Sequence, residues 1–224
     1  MTSLGFRILS IAGRPDRKLI AEFARMVTPH LSDSMERLQG GGPTLGPMYD
    51  GATMAGAAFT VRVPPGDNLL VHKALDSAAP GDVIVVDAGG VCEQAIIGEQ
   101  MAAHAATRGI AGMVIFGAIR DSAELGAGDF PVFACGISHR GPYKNGPGEI
   151  NIAISIGGMV VHPGDIMVGD HDGLVAVPLA QADEVLASAK AILARETANL
   201  VKIRAGTADR SWVDKALREK GYKL

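Results

Sequence analysis

Residues 82–121, DVIVVDAGGVCEQAIIGEQMAAHAATRGIAGMVIFGAIRD, decide the fold class. Two apolar runs, Val83–Val86 and Gly112–Phe116, lie on either side of a segment, Glu93–Arg108, that is rich in alanine and other good helix formers. Short runs that are apolar at every position are typical of strands buried on both faces. The stretch therefore predicts a strand–helix–strand unit and an α/β fold in which helices cover a sheet.

The segments on either side extend this pattern. Upstream, Ala58–Val63 predicts another strand, and Asp67 or Asn68 is a suitable cap for a helix after it. Downstream of Val132 the sequence becomes rich in strand signals separated by Gly, Pro and Asp. Strands are predicted there at 132–135, 152–156, 159–161, 166–168 and 174–177.

Helices are predicted at both ends of the chain. One begins at Pro15 and stops at Pro29, and Ser32 caps a second that runs through Leu38. A long helix over 181–204 and a short one over 211–220 follow the β-rich segment. We therefore expect N-terminal helices in 1–40, a core domain in 41–180 and a C-terminal helical extension in 181–224.

The composition of the chain limits the kinds of ligand and cellular location that we expect. With 224 residues and 47% hydrophobic side chains, the chain can bury a sizeable core. A net charge of −3 supplies no basic field for a polyanion, so nucleic acid is not an expected ligand. No apolar run approaches the roughly 18 residues of a membrane span, and no leader segment is evident. Two cysteines are too few for a disulfide framework, so we expect a cytoplasmic protein with no membrane partner.

The ends of the predicted strands mark a candidate site. In an open α/β sheet, ligands bind beyond the carboxyl ends of the strands, so the segments after Val86 and Phe116 should share a crevice. Arg120 and Asp121 follow the second strand and offer a fixed cation and an oxygen ligand for a hard metal ion. Gly98 would let a ligand approach the amides of a helix start. The alternative is that Arg120 and Asp121 form a surface ion pair without function.

Several separated motifs occur in an order that resembles one family. They are Pro80-Gly81-Asp82-Val83, Gly98-Glu99, Arg108-Gly109, Gly117-Ala118-Ile119-Arg120-Asp121, Pro163-Gly164-Asp165 and Asp170-His171-Asp172-Gly173. The chain thereby resembles the 4-hydroxy-4-methyl-2-oxoglutarate / 4-carboxy-4-hydroxy-2-oxoadipate aldolases, a family that also contains the regulator of ribonuclease E activity, over roughly residues 30 to 205. The resemblance implies a β/β/α swivelling-type domain. It also implies a homotrimer or a hexamer built as a dimer of trimers, with active sites between subunits.

The resemblance further implies a class II aldolase that uses Mg²⁺ or Mn²⁺ and cleaves a keto-acid substrate. Asp121 matches the aspartate that binds the metal directly, and Arg120 matches the arginine that contacts the keto acid. Gln100 and Met101, after Gly98, match residues whose main-chain amides hold the substrate carboxylate.

Two acids complete the implied site. Glu99 occupies the position of an acidic residue near the metal's waters, and Glu196 aligns with an acid that reaches a neighbouring subunit's metal through water. Cleavage beside a tertiary alcohol leaves a pyruvate enolate, which requires positive charge where that oxygen forms and a group that moves protons. Decarboxylation of oxaloacetate is an expected side activity because it passes through the same enolate.

The competing interpretation is a non-catalytic regulator that binds and inhibits a ribonuclease. That branch of the family is expected to depart at the metal-binding aspartate and to lack the long C-terminal extension. This chain keeps Asp121 and the segment 181–224, so we favour the enzyme.

Two further segments carry polar residues. Asp170-His171-Asp172-Gly173 is predicted to be a hairpin turn and not a site, and no two histidines have the i, i+4 spacing of a zinc site. The loop 136–151 contains His139, Arg140 and Lys144 among glycines and prolines. It could receive a second substrate carboxylate, or it could be a solvated loop or a subunit contact, and the sequence leaves these alternatives open.

Overall fold

The computed structural model describes residues 3–51 and 53–224. Met1 and Thr2, which begin the expected N-terminal segment, and Ala52 lie outside the described residues. The strands are β1 Gly46–Pro47, β2 Met54–Arg62, β3 Asp82–Asp87, β4 Ala95–Ile97, β5 Gly112–Ile119, β6 Val132–Ile137, β7 Glu149–Ile150, β8 Ile154–Ile156, β9 Met159–Val161, β10 Ile166–Asp170 and β11 Gly173–Val177. The helices are α1 Arg17–Phe23, α2 Thr28–Ser34, α3 Leu69–Ser77, α4 Glu99–Thr107, α5 Ser122–Gly126, α6 Ala182–Arg204 and α7 Ser211–Glu219.

The main sheet has a parallel centre and antiparallel edges. Its order is β1-β6-β5-β3-β2-β10-β11, with β4 alongside β5 and β7 alongside β2. Strands β2, β3, β5 and β6 run parallel, as the strand–helix–strand pattern predicts. The sheet is strongly curved, so that its two edges approach each other. Gly41 N, just before β1, donates to Leu174 O on β11 at 3.0 Å, and the sheet is therefore a nearly closed barrel.

The main sheet is the middle one of three layers, which confirms the expected β/β/α fold. One face buries side chains such as Ile84 and Met113 against α3 and α4. The other face buries Val85 and Phe133 against the small sheet formed by β8 and β9. Because both faces are covered, the central strands are apolar at nearly every position.

The terminal helices share one separate packing surface. Side chains of α1, α2 and the first half of α6 pack on the outer face of β10 and β11, around Ile166 and Val177. Within the described part of the chain no residue of α7 is fully buried, and Val201 near the end of α6 and Trp212 in α7 are exposed by 65% and 66%. Among the described residues, none of the helices is both apolar enough and long enough to cross a bilayer.

The boundaries of two N-terminal helices differ from the prediction. Helix α1 ends at Phe23, and Pro29 lies in the first turn of α2 instead of stopping a helix. Proline is tolerated there because the first-turn amides have no intrahelical acceptor. Ser32 is therefore inside α2 and does not cap it.

Two further predictions, a helix and a turn in the core domain, can be compared with the structure. The helix expected over Glu93–Arg108 begins only at Glu99, because the residues before it form β4 on the edge of β5. The turn at Asp170–Gly173 is confirmed as the hairpin that joins β10 to β11, with Asp170 opposite Gly173.

Candidate active site

A cavity of about 280 Å³ opens beyond the carboxyl ends of β4 and β5. Helix α4 begins at its wall, and the loop 138–148 covers one side. The segment after Val86 does not line it, because β5 continues past Phe116 to Ile119 and pairs with β4. The expected crevice is therefore present, but it lies beyond Ile119, three residues further along β5 than expected.

Gly98, Arg120 and Asp121, here called the Arg–Asp group, form one part of the cavity wall. A Cβ built on Gly98 would lie 2.3 Å from Asp121 Oδ2 and 2.8 Å from Arg120 Cγ. The backbone at Gly98 is extended, with φ −147°, so space and not conformation requires glycine there. The sequence brings these three residues together as expected.

Asp121 is held in an uncommon backbone conformation at the end of β5. Its φ is 54° and its ψ 43°, in the left-handed region that Asp and Asn tolerate better than most residues. Oδ2 accepts a hydrogen bond from Glu99 N at 3.0 Å, whereas Oδ1 accepts none from the described residues. One carboxylate oxygen is therefore fixed by the start of α4 and the other is available.

Arg120 keeps its guanidinium at the cavity. Its backbone N–H donates to Ile97 O at 3.0 Å, which joins the end of β5 to the residue before Gly98. Arg120 Nε lies 3.7 Å from Asp121 Oδ2, and both side chains are partly exposed. Such an exposed pair contributes little to stability. Placed in a cavity wall, the same pair can serve a ligand.

The residues after Gly98 contribute mainly through their backbone. Gln100 and Met101 line the cavity, but the exposed Glu99 is absent from its wall. Met101 N donates to Gly98 O at 3.1 Å, while the amide of Gln100 forms no hydrogen bond with the described residues. A first-turn amide without an acceptor is a donor for a carboxylate.

Glu196 lies on α6, away from the cavity of its own chain. Its Oε2 is 2.9 Å from His30 Nε2 on α2, and its side chain is half exposed. The expected contact with a neighbouring subunit's metal stays a prediction.

The cavity also contains three residues that the sequence did not assign to the site: two had no predicted role, and the role of the third was left open. Asn68, His72 and Lys144, here called the lysine group, line the same cavity as the Arg–Asp group. Burial lowers the pKa of the His72 imidazole, and the charge of Lys144 lowers that pKa further. Only the length and composition of the loop 136–151 indicated Lys144, and no sequence signal distinguished Asn68 or His72. His139 and Arg140, from the same loop, do not line the cavity.

The donor set at Asp121 suits one kind of metal. Within the described ranges 3–51 and 53–224, no three His, Cys, Asp or Glu side chains gather into a metal-binding cluster. Zinc sites need three or four such ligands, but Mg²⁺ keeps several waters and binds through one or two carboxylates. The available Oδ1 of Asp121 therefore fits Mg²⁺ or Mn²⁺ better than zinc.

A family model described as Aldolase/RraA matches residues 28–176, which is more than half of the chain. The chain belongs to the Aldolase/RraA family. The match includes both the Arg–Asp group and the lysine group, and it confirms the resemblance found in the motifs.

The proteins similar to this chain carry different names. A protein of Halalkalibacterium halodurans carries the provisional name 4-hydroxy-4-methyl-2-oxoglutarate aldolase, and it is 43% identical over 76% of this chain and 81% of the relative. A solved structure from Pseudomonas syringae, uncharacterised in function, matches with a TM-score of 0.77 and 29% identity over 88% of this chain and 93% of that chain. A structure from Streptomyces coelicolor, described as an unusual member of the RNase ES inhibitor RraA protein family, matches with a TM-score of 0.75 and 26% identity over 83% of this chain and 96% of that chain.

Proposed function

We propose that this protein is a divalent-metal-dependent aldolase that cleaves 4-hydroxy-2-oxo dicarboxylic or tricarboxylic acids to pyruvate and a second keto acid. The observation that carries the proposal is the packing of Gly98 against Arg120 and Asp121 at the wall of a cavity. It places a guanidinium, a carboxylate with one available oxygen and a free helix amide around the same space. The names of aldolase relatives support the same activity.

The chain's own groups bind and orient the keto acid. The amide of Gln100, at the positive end of α4, is placed to receive the C1 carboxylate. Met101 N, one residue further along the same turn, already donates to Gly98 O, so the amide of Gln100 is the free donor of the two. Arg120 supplies a planar, two-pronged cationic donor for the keto oxygen. These contacts hold positive charge where the enolate oxygen develops.

Asp121 would hold Mg²⁺ or Mn²⁺ through Oδ1, and the ion would add positive charge beside the keto acid. The bond from Glu99 N to Oδ2 keeps this carboxylate in one orientation. The fixed left-handed backbone at Asp121 has the same effect, because it sets the direction in which the side chain leaves the strand.

Two proton movements accompany cleavage. The C4 hydroxyl loses a proton as the C3–C4 bond breaks, and C3 of the resulting enolate gains one. We propose that Glu99, at the start of α4, moves these protons through water. For 4-hydroxy-4-methyl-2-oxoglutarate the two products are both pyruvate. Oxaloacetate, which would give the same enolate after loss of CO₂, is the proposed side substrate.

We further propose a homotrimer or hexamer, in which Glu196 reaches the metal waters of a neighbouring subunit. The apolar side chains exposed on the last turns of α6, among them Leu200, Val201 and Ile203, support a packing partner for this helix. The half-exposed carboxylate of Glu196 lies on the same helix.

The second candidate is a ribonuclease inhibitor, and the similarity to the Streptomyces coelicolor structure favours it. An inhibitor that acts through its surface has no need of an Arg–Asp pair packed on glycine in a cavity. For this reason the aldolase is the better supported function.

Replacing Asp121 tests the proposal. Asp121→Asn keeps a residue that tolerates the left-handed conformation but removes the charged metal ligand. We expect pyruvate release from 4-hydroxy-4-methyl-2-oxoglutarate to fall by at least about 100-fold, comparable to the loss of one electrostatic contact to a developing oxyanion. The melting temperature should change little, because Asp121 is exposed.

Glu124→Gln is the matched control, since it removes one exposed carboxylate from the adjoining helix α5 and lies outside the cavity wall. Its turnover should equal that of the wild type. Wild-type turnover by Asp121→Asn would overturn the metal assignment. A wild-type protein that binds a ribonuclease and releases no pyruvate from any 4-hydroxy-2-oxo acid would establish the inhibitor instead.

A further inference from the structure

The guanidinium of Arg120 lies at the cavity without a hydrogen bond to fix its direction. Within residues 3–51 and 53–224 no group accepts a hydrogen bond from it, and its ion-pair partner, Asp121 Oδ2, lies 3.7 Å from Nε. Its N–H donors are therefore available to a ligand. Because so long a side chain has many rotamers, packing must determine where these donors point.

Two glycines pack against this side chain from different segments of the chain. A Cβ built on Gly98 would lie 2.8 Å from Arg120 Cγ and 3.1 Å from Nε, and one built on Gly141 would lie 3.2 Å from Nη1. Both glycines line the cavity, and neither has the left-handed backbone that by itself favours glycine. We call this pair of glycines the Arg120 slot, since one faces the stem of the side chain and the other faces its tip.

Ser138 fixes the start of the loop that carries Gly141. Its N–H donates to Ile119 O, at the end of β5, at 2.9 Å. Its Oγ donates to Glu93 O at 2.7 Å and accepts a hydrogen bond from Arg140 N at 3.3 Å. One hydroxyl group thus joins the loop to the segment before β4, and the backbone of the same residue joins it to β5.

The loop is also fixed beyond Gly141. Tyr143 N donates to a backbone carbonyl of the turn before α3 at 2.7 Å. Asn145 N and Gly146 N donate to Asp67 Oδ2 at 2.6 and 3.0 Å. The carboxylate of Asp67 is buried, so these bonds are shielded from water. Gly141 therefore lies between two anchored segments, which hold it against the guanidinium.

We propose that Ser138 and Gly141 are positioning residues for Arg120: Gly141 closes the Arg120 slot, and Ser138 holds Gly141 in place. The slot aims the donors of Arg120 at the reacting centre before a ligand binds, so that no reorganisation is needed during the reaction. This inference rests on the proposed function for the identity of the ligand. The order of the guanidinium can be measured without any ligand.

The first test measures the mobility of Arg120 in the free protein. The NMR order parameter of its Nε–H bond, assigned from the signal lost in Arg120→Lys, should exceed about 0.6, the value below which a bond vector is flexible. Ser138→Ala removes both contacts of the hydroxyl group and should lower the order parameter below that value. Ser138→Thr keeps a hydroxyl group and should restore it.

Ser34→Ala is the matched control for this test. It also removes a hydrogen bond from a hydroxyl group to a backbone carbonyl, at 2.8 Å, but it lies on α2 outside the cavity wall. It should leave the order of Arg120 unchanged. A guanidinium that is flexible in the wild type, or whose order survives Ser138→Ala, would overturn the proposal.

The second test displaces the guanidinium directly. Gly141→Val adds methyl groups beyond a Cβ that already lies 3.2 Å from Arg120 Nη1, so the tip of the side chain must move by on the order of 1 Å. We expect kcat/KM for 4-hydroxy-4-methyl-2-oxoglutarate to fall about 10- to 100-fold. Gly46→Val is the matched control: Gly46 also precedes a proline, does not line the cavity, and has no atom within 4 Å of a built Cβ. Its turnover should equal that of the wild type.

Arg120→Lys separates positioning from simple blockage of the cavity by valine. Lysine keeps the positive charge but lacks the planar group that Gly141 faces. In this background Gly141→Val should reduce the residual kcat/KM by less than about 2-fold, because its effect acts through the guanidinium. A loss as large as with Arg120 present would show that valine blocks the substrate, and would overturn the positioning role. A guanidinium whose order depends on Ser138, in a protein without any turnover, would keep the slot and reject the aldolase.

Discussion

Substitution of Gly98 by alanine tests whether the Arg–Asp group must be packed as the structure shows. The new Cβ would lie 2.3 Å from Asp121 Oδ2, which is roughly 1 Å short of the ordinary contact distance of 3.4 Å. Arg120 Cγ, at 2.8 Å, would have to move as well. The extended backbone at this position accepts alanine without strain, so the whole effect should come from displacement of these two side chains.

A displacement of about 1 Å in a catalytic group costs about 100-fold in rate. We therefore expect kcat/KM of Gly98→Ala to fall about 100-fold, equivalent to about 2.7 kcal/mol of transition-state stabilisation. The melting temperature should change little, because Arg120 and Asp121 are exposed and can move into solvent. Rate and stability should thus respond differently to one methyl group.

The assay measures pyruvate release from 4-hydroxy-4-methyl-2-oxoglutarate with excess magnesium, coupled to lactate dehydrogenase. Gly126→Ala serves as the control, because a Cβ at Gly126 in α5 would meet no atom within 4 Å. It should leave kcat/KM unchanged and be neutral or slightly stabilising, as alanine is the better helix former. If Gly98→Ala turned over as fast as Gly126→Ala, the tight packing on Gly98 would have no part in catalysis.

Two further predictions concern the metal and the acid stability of the fold. EDTA should abolish pyruvate release and excess Mg²⁺ or Mn²⁺ should restore it, whereas turnover that continues in EDTA would contradict the class II mechanism. The hydrogen bond from Arg7 is the main reason that the pKa of Glu149 lies below its ordinary value of 4.5, with Gly5 N–H adding to the shift. A carboxyl group whose pKa is lower in the folded protein stabilises the fold at pH values above its pKa in the unfolded chain. This stabilisation is lost as the pH falls through the pKa of the folded protein. Glu149→Gln should therefore lower the melting temperature most near pH 7, and by progressively less below about pH 4.5. A difference between the two proteins that stayed constant from pH 7 to about pH 3 would show that the charge of Glu149 contributes nothing.

The sequence predicts the central strands well because burial on both faces leaves a strong signal. Val83–Val86 is apolar throughout and lies inside β3, and the Arg–Asp pair could be placed at a strand end for the same reason. Strand β4 was missed, since three residues on the edge of β5 give too short a run to distinguish from the start of a helix. Pro29 was misassigned because proline fits both after a helix and in its first turn.

The sequence predicted the Arg–Asp group of the site but not Asn68 or His72. Arg120 and Asp121 are adjacent in the chain, so a short sequence motif contains both. Asn68 and His72 are far from both and become part of the wall only when α3 packs beside β4 and the loop before β7. Tertiary contacts of this kind have no local periodicity, so a single sequence does not reveal them.

The attachment of the loop through Asp67 and Tyr143 has a consequence for how such a protein can diversify. The groups proposed for bond cleavage are carried by a strand end and a helix start, whereas Lys144 lies in a loop that backbone hydrogen bonds anchor on both sides of it. Exchanging the side chain at 144 therefore leaves the anchor intact and the Arg–Asp group undisturbed. The charge and shape of the cavity wall at this position can thus differ by a single substitution while the backbone that carries the side chain stays in place.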